Sequence, residues 1–193
     1  MFNWLSFLLY AVVTAATPGP NNILSLSGAS RLGLRRALPF NLGIWAGFSL
    51  VMLMCTFFCS TLSAVIPVLK TPMLVLGALY MLHLAYQTLK SDALAETAPA
   101  RSGFFSGFIL QFVNPKIYVY CMVSMEAYIL SHYQGHWPAL VFFALLLAFI
   151  GFLFTLCWAV FGSAFKFLFS KHAKATNAVM ALLLVYCAVS LFL

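Results

Sequence analysis

Charge is scarce in this sequence, and negative charge is nearly missing. Three residues of 193 are acidic, only 7% are charged and 64% are hydrophobic, whereas a water-soluble domain carries about 25% charged residues. So little charge cannot hydrate a surface, so the chain is read as an integral membrane protein. Paired catalytic groups are also missing, and no CxxC motif occurs. The five cysteines, Cys55, Cys59, Cys121, Cys157 and Cys187, are odd in number and fall in apolar runs. This excludes a disulfide framework and a thiol-oxidoreductase centre, and buried thiols of this kind serve as packing. An enzyme is not expected. No Lys or Arg precedes the apolar start MFNWLSFLLYAVV, so the basic leader of a secretory signal is lacking and this segment is read as a retained first span.

Apolar runs of about 20 residues suit a helix that crosses hydrocarbon. Six such runs occur, at 3–28, 38–66, 72–90, 103–130, 138–165 and 175–193. Stretches such as ALVFFALLLAFIGF (139–152) do not alternate in polarity, which excludes a β-barrel. The expected fold is an all-α membrane protein of six transmembrane helices, forming a single transporter domain over 1–193. Repeat one takes 1–90, a polar linker 91–102, and repeat two 103–193.

The net charge of +7 is confined to particular connections. Arg31, Arg35 and Arg36 follow span 1, Lys90 and Arg101 flank the linker, and Lys166, Lys171 and Lys174 follow span 5. Lys70 stands alone in the expected turn between spans 2 and 3. The positive-inside rule then puts the linker in the cytoplasm and both termini in the periplasm. The basic excess reports topology and contact with anionic membrane lipids, and nucleic acid is not an expected partner.

Against this background TPGPNN (17–22) interrupts span 1. Pro18 and Pro20 lack N–H groups, and their rings clash with the carbonyls of Thr14 and Ala16. A backbone broken inside lipid must face protein or a water-filled cavity, because each unpaired polar group there costs several kcal/mol. Span 4 carries a second interruption, QFVNPK (111–116). Three spans per half make the halves run in opposite senses, so the chain reads as two inverted three-helix repeats with broken helices 1 and 4. Interrupted segments at matching places in inverted halves point to a transporter's binding site.

Helix ends give these breaks their chemistry. Pro20 and Pro115 suit the first position of a new half-helix, and Asn114 suits its N-cap. The unpaired N–H groups there attract a carboxylate, and Lys116 adds a full charge. Upstream, the carbonyls of Thr14 and Ala16, and those near Leu110 and Gln111, are expected to be free to accept from an ammonium group. The pairing suits a zwitterion, and the shortage of acidic residues favours a neutral amino acid. Candidate substrate-binding residues are Thr17, Pro18, Gly19, Pro20, Asn21, Asn22, Gln111, Asn114, Pro115 and Lys116. Tyr80 and Tyr186, near the middle of the third span of each half, complete the set.

His83 lies mid-span on a helical stripe with Tyr80 and Gln87, which suits either a relay or interhelical hydrogen bonds. His132 and His136 are spaced like helix neighbours, but too few further ligands lie near to hold a metal. No metal or cofactor is expected. Gly43/Gly47 and Gly103/Gly107 have GxxxG spacing, which permits close helix approach. It serves internal packing, a homo-oligomer or a non-transport assembly subunit equally well.

TPGPNN, the glycine-bearing NLGIWAGF (41–48), QFVNPK and the ending LLLVYCAVSLF (182–192) resemble the LysE/RhtB amino-acid exporters, over nearly the whole chain. The span 4 and span 6 segments are most similar to the branch that expels cysteine and O-acetylserine. The resemblance implies a bacterial inner-membrane exporter of small neutral amino acids driven by the proton gradient, with Thr17, Pro18, Gly19, Pro20, Asn21, Asn114, Pro115 and Lys116 in its site. Homoserine and threonine are the alternative substrates. His83 and Glu126 depart from the family pattern, which has a Trp and a small polar residue at about those positions. Proton coupling then falls to Lys116, which titrates once desolvated, with His83 and Glu126 as further candidates. The expected motion is a rocking of the two halves about the breaks.

Overall fold

The computed structural model describes residues 2–90, 103–165, 167 and 172–189. The linker 91–102 lies outside the described residues, as do Lys166 and Lys171. Among the described residues the elements are helical and no strand occurs. The order is α1 (Trp4–Ala16), α2 (Pro20–Leu32), α3 (Leu34–Phe57), α4 (Cys59–Lys90), α5 (Phe104–Leu110), a 3₁₀ turn (Gln111–Val113) and α6 (Pro115–Ser124). A π segment (Met125–Ile129), α7 (Leu130–Tyr133), α8 (Trp137–Ala164) and α9 (Ala173–Val189) follow.

Both interruptions appear where the prolines demand them. Pro20 and Pro115 are the first residues of α2 and α6, in the first turn, where a missing N–H costs no helical hydrogen bond. The passage from α2 to α3 takes a single residue, Gly33 at φ 82°, a left-handed conformation open to glycine without steric cost. The second and third runs differ from expectation. α3 ends at Phe57 and α4 is continuous from Cys59 to Lys90, so the turn falls at Phe58 and Lys70 lies within a helix. The stretch nonetheless holds Pro67 and Pro72, and proline occurs in helices of apolar surroundings, where neighbouring groups re-satisfy the freed backbone.

α3 and α8 are long and apolar enough to cross a membrane. Many large apolar side chains point outward, among them Leu5, Leu76, Phe105, Ile109 and Leu182, each at least 60% exposed. An exterior of this kind is matched to hydrocarbon. Lipid is as apolar as leucine, so helices in it associate by close packing rather than by escape from water. The glycines supply that packing. A Cβ on Gly43 would strike the Phe104 carbonyl, one on Gly107 the Phe40 carbonyl, and one on Gly47 the Phe108 carbonyl and the Gln111 side chain. Three of the four GxxxG glycines are therefore spent on the internal α3–α5 seam, while Gly103 faces open space. Gly162 of α8 lies likewise against the Leu26 backbone of α2.

The main packing pairs are α2 with α8, α3 with α5, α3 with α8 and α4 with α9. One core gathers Phe7, Met52, Tyr120 and Leu147 from α1, α3, α6 and α8. Another gathers Ile23, Met81 and Leu184 from α2, α4 and α9. These pairings bring the α1/α2 and α5/α6 breaks side by side.

Candidate functional site

Side chains join the two breaks directly. The Asn21 side-chain amide donates to Gln111 Oε1 at 2.8 Å, and Gln111 Nε2 donates back to Asn21 Oδ1 at 3.3 Å. Asn114 Nδ2 also donates to Asn21 Oδ1, at 3.2 Å. Gln111 is fully buried and spends a further donor on the Gly107 carbonyl at 2.7 Å. Lys116 reaches across to the first break, where its ammonium donates to the Thr17 hydroxyl at 2.9 Å and the Thr17 carbonyl at 3.1 Å.

The upstream carbonyls are not left free, contrary to the sequence expectation. Thr14 O accepts from the Thr17 hydroxyl at 2.7 Å, Ala16 O from the Trp158 indole at 3.2 Å, and Ala15 O and Thr17 O from Asn22 Nδ2 at 2.9 Å each. In the second break Gln111 O accepts from Asn114 N–H, and Phe112 O from the Tyr118 hydroxyl. Backbone groups inside an apolar bundle must find partners, and side chains of the same protein supply them first. The Thr14, Ala15 and Ala16 carbonyls each keep a second lone pair, whereas Thr17 O accepts from both Asn22 and Lys116.

The two half-helix N-termini are unequal. Asn114 caps α6 through its side chain, which accepts from Lys116 N–H at 3.2 Å. Gly19 precedes α2 and offers no side-chain cap. The first turn of α2, with its positive dipole end, therefore lines the cavity without a side-chain cap. A Cβ on Gly19 would lie 3.1 Å from Lys116 Nζ, so the lysine charge stands beside that same helix end. Among the described residues no carboxylate is in salt-bridge reach of Lys116, and its bonded oxygens are neutral. One of its three donors stays unspent.

A half-open cavity lies here, with about 400 Å³ of atom-free space including its mouth. Thr14, Ala15, Gly19, Asn21, Asn22, Asn114 and Lys116 line it from the breaks, and Phe48, Ile117, Tyr120, Gly151 and Thr155 from α3, α6 and α8. Pro20 lines it too, while Thr17 and Gln111 bond directly to lining residues. Pro18 is exposed, and Pro115 is buried at the start of α6.

Other candidates lie elsewhere. Tyr186 is 63% exposed on α9, and Tyr80 packs half-buried against Phe40, Ile44 and Leu110; neither lines the cavity. His83 is exposed on α4 and bonds Gln87 one turn on. Glu126 is exposed in the π segment.

Sequence reasoning missed Phe48, Tyr120, Gly151, Thr155 and Trp158. Tyr120 was within reach of it, four residues after Lys116 and so on the same helix face. Gly151 and Thr155 are also four apart, the small members of an otherwise bulky run. Phe48 carries no local signal.

The described residues thus place a cavity between two broken helices, with the Lys116 ammonium beside an uncapped helix end. The chain belongs to the LysE type translocator family, whose model matches residues 12–193. It is similar to the "Cysteine/O-acetylserine efflux protein" of Salmonella typhimurium (strain LT2), at 39% identity over 189 residues, covering 97% of this chain and 96% of the relative. The protein of the same description in Escherichia coli (strain K12) is 38% identical over the same extent. No solved structure matches the chain.

Proposed function

We propose that this translocator is a secondary-active exporter of small neutral amino acids, cysteine and O-acetylserine among them, in the bacterial inner membrane. The observation that carries the reading is the uncapped N-terminus of α2 beside the Lys116 ammonium. Helix dipole, free N–H groups and a full positive charge there converge on one anion position, which suits an α-carboxylate. The remaining lone pairs of the Thr14 and Ala15 carbonyls receive the α-ammonium, and among the described residues no acidic side chain lines the cavity to hold a second positive charge. The names of the relatives supply the direction of transport and the two substrates.

The architecture we propose is six spans in two inverted repeats, with α1 plus α2 forming the first span and α5 through α7 the fourth. Both termini are periplasmic. In the empty site Lys116 ties the second repeat to Thr17 of the first; a bound carboxylate competes for that ammonium and loosens the tie. Proton coupling rests on Lys116, the titratable amine in the cavity, since His83 and Glu126 are exposed away from it. The test is counterflow in proteoliposomes with labelled cysteine and O-acetylserine under an imposed pH gradient. Flux of either amino acid supports the export reading, and flux indifferent to the gradient overturns the coupling.

A further inference from the structure

We infer that Phe48, Gly151 and Thr155 form the side-chain compartment of the cavity, which selects small side chains bearing a hydrogen-bond donor, a thiol or a hydroxyl. This deepens the amino-acid export reading and rests on it.

The cavity lining divides by origin. The breaks contribute amides, backbone and the lysine, whereas α3, α6 and α8 contribute Phe48, Ile117, Tyr120, Gly151 and Thr155. Two of these five carry hydroxyls, and the Tyr120 hydroxyl is directed to the Ala11 carbonyl at 3.4 Å. Thr155 remains. It is 3% exposed, and its hydroxyl donates to the Phe152 carbonyl of its own helix at 2.8 Å. A hydroxyl has one hydrogen and two lone pairs, so with the hydrogen spent Thr155 offers only acceptor capacity. An S–H or O–H on the substrate meets that acceptor; a methyl leaves it unpaired, and an ester oxygen sets acceptor against acceptor. Cysteine and hydroxy amino acids are thereby favoured over apolar isosteres, and O-acetylserine, which has no side-chain donor, is the poorer substrate.

Size is set one helical turn earlier. A Cβ on Gly151 would strike Cε1 of Phe48 and lie 3.1 Å from its Cδ1. The phenyl ring therefore rests on bare α8 backbone and occupies the space a longer side chain would need. Phe48 is 6% exposed and packs on Tyr120, with ring centroids 5.9 Å apart.

The experiment measures counterflow by the purified full chain in proteoliposomes under reducing conditions. The substrates are cysteine, 2-aminobutyrate (a methyl in place of the thiol), O-acetylserine and norleucine. The wild type is expected to carry cysteine about fivefold better than 2-aminobutyrate, the range of one neutral hydrogen bond. Thr155→Val brings the two rates together, Thr155→Ser preserves their ratio, and Phe48→Ala admits norleucine. An unchanged ratio in Thr155→Val overturns the donor selection, as does an equal loss of both substrates in both Thr155 variants. Continued exclusion of norleucine by an otherwise active Phe48→Ala protein overturns the size limit. If the wild type carries cysteine while any of these three results holds, the export reading survives its refinement; if it carries no amino acid, the export reading falls as well.

Discussion

At the first break the chain is extended at Thr17 and Gly19 and α2 begins on a bare glycine; at the second it tightens into a 3₁₀ turn and α6 begins on Asn114, which caps itself. The second break is satisfied mainly by nearby residues: Asn114 N–H to Gln111 O, Asn114 Oδ1 to Lys116 N–H, Tyr118 to Phe112 O. The first is satisfied only in part locally, by Thr17 on Thr14 O and Asn22 on Ala15 O and Thr17 O, and needs the far side of the sequence for the rest, with Trp158 on Ala16 O and Lys116 on Thr17. A self-sufficient break fixes geometry. A dependent break can exchange partners, so the ligand is expected at the first break, with the second as its rigid abutment.

Four substitutions probe that asymmetry. The largest effect is expected from Lys116→Ala, which removes the charge shared between the breaks. A hydrogen bond to a charged group contributes about 1.5–3 kcal/mol, so affinity for cysteine in a binding titration should fall about 10–150-fold. Normal transport by this variant would deny the carboxylate anchor. Next is Gly19→Ser, which makes the two breaks alike. Gly19 sits at φ −162°, an extended backbone that any residue adopts, and serine caps better than glycine by a few tenths of a kcal/mol. Transport should fall roughly tenfold, because the serine oxygen takes N–H groups meant for substrate and its Cβ, 3.1 Å from Lys116 Nζ, crowds the ammonium. Equal or faster transport would show that α2 does not receive the anion.

Trp158→Phe keeps the ring and deletes the donor to Ala16 O, leaving a broken-helix carbonyl without its partner. The expected cost is about 1–3 kcal/mol, read as a lowered melting temperature in detergent. The smallest change is expected from Asn114→Ala, a lost helix cap of about 1 kcal/mol, with Asn114→Ser restoring most of it. If Asn114→Ala proved more damaging than Trp158→Phe, the second break would be the dependent one.

The positions of the breaks were legible in sequence because proline's missing N–H is a local fact, and so was the Asn114 cap. Their hydrogen-bond partners were not legible, since Trp158 and Asn22 look like any other Trp or Asn until the bundle closes. The turn at Phe58 was missed because TFFC (56–59) holds no Gly, Pro, Asn, Asp or Ser, while the expected turn at Lys70 falls in a stretch that stays helical. Tyr80 and Tyr186 show the limit of matching repeats by residue identity, which does not specify a helix face; Tyr186 points outward. The GxxxG spacing correctly announced close approach, but only the structure reveals that the partner is the opposite half of the same chain.

That interleaving bears on how the protein is made. The Ala16 carbonyl is bonded by Trp158, 142 residues later, and Thr17 by Lys116, 99 residues later. At roughly 5–20 residues per second, the ribosome delivers Trp158 about 7–28 s after Ala16. Throughout that interval the Ala16 carbonyl is without its indole partner, and until Phe104–Leu110 is made α3 also lacks the glycine-lined seam against α5. Biogenesis must therefore shelter the nascent first half from lipid until the second arrives, which makes the TPGP segment a natural client of the insertion machinery.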